Sequence, residues 1–324
     1  MPGEFDLIAR YFARPTPSAV LGPGDDCALL APTPGMELAV TTDMLVAGTH
    51  FFADTDPRQL GWKTLAVNVS DLAAMGAVPR WALLAGSLPT ADEDWLAAFA
   101  DGLFACAKRY GIDLVGGDTT RGPLNLCVTA LGEVPAGRAL RRDSAQVGDD
   151  VWVSGQPGLA ALGLAQLRGQ ADLPAALKTR CLAALQRPLP RVELGRALRE
   201  RGLAHAAIDV SDGLLADLGH ILERSRVGAE LYAGQLPCLP PGADPLRARD
   251  AQLAGGDDYE LAFTAAPGQR QALAALAAEI DLPLWRIGRI VAAAPDAPPR
   301  AAVLDVDGQP LPIDHTGFDH FGQS

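Results

Sequence analysis

The stretch MELAVTTDMLVAGTHF, residues 36–51, alternates apolar and polar positions and is rich in β-branched residues. This pattern predicts a β-strand. Three polar residues, Thr41, Thr42 and Asp43, stand in the middle of the stretch. The sequence therefore predicts a strand that carries two hydroxyl groups and one carboxylate in its middle.

The first half of the chain is predicted to be rich in strands, with two substantial helices. A short helix is expected over residues 4–13. The two longer helices are predicted over residues 57–79, closing at Gly76 and Pro79, and over residues 92–111. Further strands are predicted over residues 80–89, over 112–122, where the strand breaks at paired glycines, and over 124–134.

Within residues 141–155 the chain passes a polar, glycine-containing connector and enters a new predicted strand, which indicates a domain boundary. We place an N-terminal domain at residues 1–143 and a C-terminal domain at residues 144–324. The second domain is predicted to be mixed α and β. Its expected helices are 157–169, 175–186, 191–202, 212–225 and 268–280, and its expected strands are 205–211, 259–265 and 285–291. The predicted fold class is thus α+β with two domains.

The amino-acid composition and net charge indicate what kind of protein this is and which partners they disfavour. The chain has 324 residues, of which 48% are hydrophobic and 20% charged, as is typical of a folded soluble protein. Its net charge of −12 disfavours nucleic acid or an anionic membrane as a partner, because the long-range field repels polyanions. No segment approaches the roughly 20 apolar residues of a membrane span. Five scattered cysteines, never spaced as CxxC, indicate free thiols and a cytoplasmic location.

Seven aspartates lie beside Gly, Ser or Thr, and we expect them at strand ends or helix starts. They are Asp26, Asp43, Asp71, Asp118, Asp209, Asp212 and Asp257. Helix capping alone is an open alternative for Asp71 and Asp212. Strand ends from distant sequence regions converge on one rim, where so many carboxylates would repel one another without cations. Oxygen-only donors favour several Mg²⁺ ions, which are usually shared with substrate phosphates, so the sequence indicates a polyphosphate substrate.

The familiar phosphate-binding motifs are missing from the sequence. It contains no GxxxxGK[ST] loop, no GxGxxG after a strand and no kinase HRD or DFG set. Two weaker candidates remain for phosphate binding. These are GGDTTRG, residues 116–122, and RALRRDS, residues 138–144, whose Arg138, Arg141 and Arg142 could clamp a phosphate or lie in a solvated turn.

Eight motifs occur in an order that resembles the thiamine-monophosphate kinases. They are GEFDLIARYF, GDDCALL, TTDMLVAGTHF, NVSDLAAMGA, GGDTTRG, IDVSDGLLADLGHI, GGDDYEL and GFDHF, and they run from residue 3 to about residue 321. These kinases are related to aminoimidazole-ribonucleotide synthetase, selenophosphate synthetase and a hydrogenase-maturation dehydratase.

The resemblance implies ATP-dependent phosphorylation of thiamine monophosphate to thiamine diphosphate. It also implies a homodimer, in which N-terminal strands pair across the two-fold axis into a barrel and a C-terminal α/β domain closes over each nucleotide. By position, the implied magnesium ligands are Asp26, Thr41, Thr42, Asp43, Asp71, Asp118, Asp209 and Asp212. The implied nucleotide contacts are Tyr110, Gly117, Asp118, Arg142 and Ser211. The implied thiamine phosphate contacts are His50, Asp257 and Phe318.

One implied contact departs from the family pattern. The family usually shows GGED where this chain has GGDD, so Asp257 is one methylene shorter than the usual Glu. His50 and Phe318 would be read as structural residues without the resemblance. An aromatic face does suit the cationic ring of thiamine.

The sequence also bears on several alternative functions. Selenophosphate synthetase would need a reactive Cys among the first 26 residues, and the hydrogenase-maturation relative would need a C-terminal Cys; the sequence shows neither. Aminoimidazole-ribonucleotide synthetase is the nearest alternative enzyme. An acidic scaffold that binds divalent ions and a magnesium-dependent phosphatase are the alternatives from other classes.

Overall fold

The chain divides into two compact units in the computed structural model, which describes residues 3–238, 241–294 and 298–321. Unit 1 comprises Met1–Leu72 and Ala77–Arg138, and unit 2 comprises Ala73–Gly76 and Ala139–Ser324. Among the helices that the structure describes, none combines the length and apolar composition needed to cross a bilayer. The two-domain α+β class predicted from the sequence is confirmed.

From residue 3 onward, where the structure describes it, unit 1 contains three α-helices and four strands. The helices are α1 (Glu4–Leu7), which continues as a π-helical turn (Ile8–Phe12), α2 (Pro57–Ala74) and α3 (Glu93–Tyr110). The strands are β1 (Met36–Val46), β2 (Val78–Leu88), β3 (Asp113–Arg121) and β4 (Asn125–Pro135). They form one sheet in the order β1-β4-β2-β3, with only the β2–β3 pair parallel.

The sheet of unit 1 has a buried inner face and an exposed outer face. Val128 and Ala130 of β4 are fully buried, and they pair in register with Asp43 and Thr41 of β1. Paired residues of neighbouring strands point to the same side of a sheet, so Thr41 and Asp43 face the interior with them. The alternate residues of β1 lie on the outer face.

Helices α2 and α3 approach each other closely at two glycines. A Cβ on Gly61 would lie 2.0 Å from the carbonyl oxygen of Phe99, and one on Gly102 would lie 1.8 Å from that of Arg58. Asp92 caps α3 by accepting the N–H groups of Asp94 and Trp95 in its first turn. The absence of side chains at the two glycines allows α2 to pack deep in the unit.

The predicted break of β3 at its paired glycines is wrong, because the strand continues to Arg121. Gly117 has φ +155°, and a Cβ there would lie 1.9 Å from the carbonyl oxygen of Leu84 on β2. The register between β2 and β3 shifts at Ala82 and Leu83. The glycines thus let β3 follow an irregular partner instead of ending it.

In its described residues, unit 2 contains six α-helices and six strands. The helices are α4 (Leu159–Leu167), α5 (Ala175–Gln186), α6 (Val192–Glu200), α7 (Leu214–Ser225), α8 (Pro245–Ala254) and α9 (Arg270–Glu279). The strands are β5 (Asp150–Ser154), β6 (Ala206–Asp209), β7 (Val227–Tyr232), β8 (Leu261–Ala265), β9 (Leu284–Ala292) and β10 (Ala301–Leu304). All five helices and three strands predicted for this region are present, and β5 is the new strand predicted at the end of the connector, whereas α8, β7 and β10 were not predicted.

The sheet of unit 2 is covered on both faces. Its order is β10-β7-β9-β5-β8-β6, and only the β10–β7 pair is parallel. Alternate residues of β5 enter different apolar clusters, Val151 and Val153 with α7, and Trp152 with α6 and α9. Every residue of β5 is therefore buried. The carboxyl end of β6 leads into the turn before α7, and this turn positions the candidate residues of unit 2.

Candidate active site

Strand β1 and helix α2 bring together part of the predicted metal site. The hydroxyl of Thr41 donates a short hydrogen bond to Asp71 Oδ2. The backbone N–H of Asp43 donates to Asn68 Oδ1 at 3.0 Å. Because Asn68 and Asp71 are three residues apart on α2, both face the same strand. The Thr41 hydroxyl and the Asp71 carboxylate thus belong to a single β1–α2 contact, which Asp43 joins through its backbone.

The location predicted for these aspartates was partly wrong. Asp71 lies in the last turn of α2 and Asp43 in the middle of β1, so neither stands at a helix start or a strand end. The capping alternative is thereby excluded for Asp71. Asn68, which is fully buried, was missed from the site, although the three-residue spacing within NVSD could have indicated it.

Thr42 lies on the opposite face of β1 from Thr41 and Asp43. Its hydroxyl is 2.8 Å from the hydroxyl of Thr129, its register partner on β4, and it donates to the carbonyl of Val128 at 3.0 Å. The Thr42 side chain is therefore engaged with the sheet itself. The structure does not bring this hydroxyl to the Thr41–Asp71 contact.

Asp118 lies three strands away from Asp43 in the sheet of unit 1. It is exposed on β3, and the register aligns it with Ala85 of β2, Cys127 of β4 and Met44 of β1. Three interstrand spacings amount to roughly 14 Å. Within unit 1, Asp118 and its neighbour Gly117 are thus separate from the β1–α2 contact.

His50 follows β1 in a tight turn that fixes its ring. The N–H of Val46 donates to His50 Nδ1 at 3.0 Å, and the N–H of His50 returns to the carbonyl of Val46 at 3.0 Å. A ring nitrogen that accepts a backbone N–H cannot carry a proton, so the neutral ring is protonated at Nε2. The turn therefore sets the tautomer of this histidine.

The remaining predicted residues of unit 1 are more peripheral. Asp26 lies in an exposed loop, where its N–H donates to Asp25 Oδ1 at 2.8 Å. Tyr110 ends α3, with its ring tilted against Trp62 at 6.4 Å and the guanidinium of Arg109 over it at 5.7 Å. The loop and the helix end leave both residues at the boundary of the packed core.

Oxygen donors of the β1–α2 contact fit Mg²⁺ chemically. Across the described ranges, no three His, Cys, Asp or Glu side chains are arranged to hold a metal ion. Mg²⁺ is commonly bound by one or two carboxylates, with waters and substrate phosphates completing its octahedron. Thr41, Asp43 and Asp71 supply that kind of partial donor set.

In unit 2, four residues join β6 to α7, and the last three of them, Ser211–Gly213, form a turn. Asp209 is the last residue of β6 and is buried, as predicted for a strand end. Helix α7 begins at Leu214 after Gly213, so Asp212 does not cap it. Burial raises the pKa of Asp212, and the nearby His320 and His220 lower it. The carboxylate of Asp212 is therefore placed for a role other than capping.

Asp217, which the sequence analysis missed, organises this turn. Its Oδ2 accepts the N–H groups of Ser211, Asp212 and Gly213 at 2.9, 3.1 and 3.1 Å. Burial, together with the charge of Asp212, raises the pKa of Asp217 to about 7, against the opposing effect of the three N–H donors. One residue of α7 thus binds every backbone amide of the turn.

Asp257 is attached to the same turn. Its N–H donates to the carbonyl of Ser211 at 2.7 Å, and the hydroxyl of Tyr259 donates to its Oδ1 at 3.1 Å. Both Asp257 and Tyr259 adopt positive φ angles, 68° and 52°. Such angles are unfavourable for these residue types and are found where the surroundings enforce them. The loop therefore holds Asp257 in a specific orientation.

Phe318 reaches the turn from the C-terminal segment. Its N–H donates to the carbonyl of Asp212 at 2.9 Å, and its ring meets that of His320 edge to face at 4.8 Å. The side chain remains half exposed, which leaves its ring surface accessible. Unit 2 thus gathers Ser211, Asp212, Asp257 and Phe318 around three residues of backbone.

Arg142 lies in the connector that precedes β5. Its carbonyl accepts a hydrogen bond from the hydroxyl of Ser225 at 2.8 Å, and the residue is exposed. The neighbouring Arg141 is paired with Asp143, and this pairing lowers the pKa of Asp143 to about 2. Of the two adjacent arginines, Arg141 is the one that neutralises the local carboxylate.

Comparisons with known proteins cover nearly the whole chain. Residues 24–134 match the N-terminal domain of AIR synthase related proteins, and residues 146–297 match their C-terminal domain. The chain is 45% identical over 326 aligned residues to thiamine-monophosphate kinase of Escherichia coli K12, covering 98% of each protein. It is similar to the crystal structure of thiamine-monophosphate kinase from Stenotrophomonas maltophilia K279a, with 51% identity, a TM-score of 0.82, and 94% and 95% of the two chains covered.

A liganded structure is also similar. AaThiL complexed with AMPPCP and TMP shares 30% identity with this chain at a TM-score of 0.76, and the match covers 90% of this chain and 89% of that one. The sequence match and the structural match both extend through the two units. The chain therefore belongs to the AIR synthase related family and, within it, to the thiamine-monophosphate kinases.

Proposed function

We propose that this protein transfers the γ-phosphoryl group of ATP to thiamine monophosphate, which yields thiamine diphosphate and ADP. The observation that carries the proposal is the 45% identity to the Escherichia coli kinase over 98% of both proteins. The clustering of Ser211, Asp212, Asp257 and Phe318 supports it, because these residues match nucleotide, metal and acceptor contacts of the family.

The acceptor chemistry suits a site without a dedicated general base. A phosphate monoester has a second pKa of about 6, so its terminal oxygen is already anionic at neutral pH. In the proposed step this oxygen attacks the γ-phosphorus in line and forms a new P–O bond. The bond between the γ-phosphorus and the bridging oxygen breaks, and ADP leaves with the electron pair. No phosphorylated enzyme intermediate is formed.

Repulsion between the two phosphates is then the main obstacle. Two like unit charges 4 Å apart repel by about 4 kcal/mol at an effective dielectric constant of 20. When bound, several Mg²⁺ ions supply the compensating positive charge. We assign their protein ligands to the oxygen donors that the resemblance implies, with Asp43 and Asp118 as the catalytically essential carboxylates.

Other side chains of the chain bind and orient the reactants. We assign Arg142, together with Tyr110, Gly117 and Ser211, to nucleotide binding, and Arg142 adds a guanidinium that can stabilise transferring phosphoryl oxygens. His50 carries its proton on Nε2, where it can donate to the acceptor phosphate. Phe318 offers an aromatic face for the thiamine cation.

Asp257 contributes differently from the usual glutamate. It is one methylene shorter, and its backbone lies in the left-handed region with Tyr259 holding its carboxylate. We propose that it faces the cationic substrate through a longer or water-mediated contact.

The outer face of β1 supports a homodimer. Leu38, Val40 and Met44 lie on this face of the edge strand with 40%, 59% and 51% of their surface exposed. Exposed apolar side chains on an edge strand favour association through the open edge of that strand. We propose that two copies pair their N-terminal sheets here into a barrel. Sedimentation velocity tests this, since Val40→Glu should produce monomers and a wild-type monomer would contradict the proposal.

The activity is tested by incubating the protein with ATP, Mg²⁺ and thiamine monophosphate. Mass spectrometry should show thiamine diphosphate and ADP in equal amounts, with no product when chelator removes Mg²⁺. Release of inorganic phosphate without thiamine diphosphate would identify a phosphatase instead. Inversion of a chiral γ-phosphorus is expected for the in-line step, and retention would exclude it.

A further inference from the structure

The carboxylate of Asp217 is hydrogen-bonded to every backbone N–H group of the turn Ser211–Gly213. One carboxylate oxygen accepts three consecutive backbone N–H groups, those of residues 211–213. In its ionised form, the carboxylate forms hydrogen bonds about twice as strong as those of a neutral acceptor. Because Asp217 is buried, these bonds are also shielded from competition with water. The amide side of the turn is therefore held by a single side chain.

The carbonyl side of the same turn holds two other segments. Ser211 O accepts the N–H of Asp257 at 2.7 Å, and Asp212 O accepts the N–H of Phe318 at 2.9 Å. Both segments pack tightly against the turn. A Cβ on Gly256 would lie 2.5 Å from Ser211 O, and one on Gly317 would lie 2.7 Å from Asp212 O. The turn has no room to shift without moving the segments that carry Asp257 and Phe318.

We propose that Asp217 is a positioning residue for phosphoryl transfer. By holding the turn Ser211–Gly213, it fixes the residues that bind the nucleotide relative to the residues that bind thiamine monophosphate. The inference rests on the proposed roles of Ser211, Asp212, Asp257 and Phe318. It adds a physical link among them. A change at Asp217 moves the turn, and the turn moves both binding groups.

The competing explanation is that Asp217 only stabilises the start of α7. Loss of a helix cap lowers stability and leaves the kinetic constants of the folded enzyme unchanged. A positioning role instead alters the Michaelis constants for both ATP and thiamine monophosphate. Supporting residues of this kind typically change metal affinity or activity by about 10- to 100-fold when they are removed.

The test compares Asp217→Asn and Asp217→Ala in the full-length protein. Asparagine keeps one neutral oxygen acceptor, whereas alanine removes all acceptors. We expect the Michaelis constants for both substrates and the half-saturating Mg²⁺ concentration to rise about 10-fold in Asp217→Asn and about 100-fold in Asp217→Ala. Asp217→Asn is nearly isosteric, so it decides the question if the alanine variant does not fold.

Asp149→Asn is the matched control. Asp149 is also a buried carboxylate of unit 2 that accepts a backbone N–H, from Gln146 at 2.9 Å, and it contacts His205. It should lose thermal stability with unchanged Michaelis constants. If the folded Asp217 variants behave like this control, the positioning role is overturned.

Two further variants distinguish an error in the positioning role of Asp217 from an error in assigning the turn to the active site. Ser211→Ala and Asp212→Asn should impair nucleotide and Mg²⁺ dependence by themselves. If they do while the Asp217 variants retain wild-type constants, only the positioning role is wrong. If neither has an effect, the assignment of the turn to the active site is wrong, and the positioning role fails with it.

Discussion

The buried ion pair between Arg191 and Glu260 offers a quantitative test of what stabilises unit 2. Both oxygens of Glu260 accept from the Arg191 guanidinium, and the hydroxyl of Ser154 donates to the same carboxylate at 2.6 Å. The side chains are 23% and 7% exposed. A Cβ on Gly155 would lie 1.8 Å from Glu260 Oε1, so the carboxylate is enclosed by backbone as well.

We predict that Arg191→Met lowers the free energy of unfolding of unit 2 by about 3 kcal/mol. Breaking a buried pair by removing one partner typically costs about 3–5 kcal/mol, because the remaining charge stays buried. The retained Ser154 hydrogen bond places the loss at the lower end. With a urea m-value of about 2 kcal/mol/M, the unfolding midpoint should fall by about 1.5 M.

Arg201→Met is the matched control on the surface. Arg201 pairs with Glu279 in the same bidentate way, but the two side chains are 44% and 55% exposed. Exposed pairs contribute at most about 1 kcal/mol, so its midpoint should fall by less than about 0.5 M. Adding Glu260→Gln to Arg191→Met should recover part of the lost stability. Equal midpoints for the two single variants would refute the argument from burial.

Three other predictions concern the site and the thiols. Asp43→Asn should lower kcat more than about 100-fold and raise the Mg²⁺ requirement with little change in melting temperature, since its backbone N–H can still donate to Asn68 Oδ1. Unfolding at normal specific activity would instead mark a structural residue. His50→Asn keeps an acceptor near the Nδ1 position and removes the Nε2 donor. The Michaelis constant for thiamine monophosphate should therefore rise, while the Michaelis constant for ATP and the melting temperature stay constant. A change confined to stability would contradict the substrate role. Burial raises the pKa of the Cys181 thiol to about 11, so at pH 8 only about one Cys181 thiol in a thousand is ionised. Iodoacetamide should therefore alkylate the exposed Cys27, but it should not alkylate Cys181 until denaturant is added. Peptide mass mapping reads out this labelling, and equal modification of both before unfolding would show that Cys181 is accessible.

Local patterns in the sequence identified most elements of both units. The apolar periodicity of α3 and the alternation in β1 depend on neighbouring residues, so they could be read directly. Helix α8 was not predicted because its sequence, PLRARDAQLA, carries several charges and has no clear apolar stripe. Burial of its last turn shows that it nevertheless packs in unit 2. Strands β7 and β10 are short, and their pairing with distant strands is what stabilises them.

The sequence also identified which aspartates to examine, but not what each one does. Small neighbours and motif order singled out Asp43, Asp71 and Asp212, whereas the helix-cap reading of Asp71 and Asp212 was wrong. Capping depends on where a helix begins, and sequence patterns leave helix ends uncertain by several residues.

Tertiary structure alone decided which groups meet. Asp217 looks like an ordinary polar residue in DGLLADLG, and only the path of the chain after β6 directs three amides to its carboxylate. Thr41 and Thr42 are adjacent in sequence, yet the strand places their hydroxyls on opposite faces of the sheet. Side-chain periodicity is encoded over a few residues, whereas burial and partner choice arise from contacts between segments far apart in the chain. The sequence by itself therefore determined the elements and the chemistry of the donors, and the packing of those elements determined the arrangement in which the donors act.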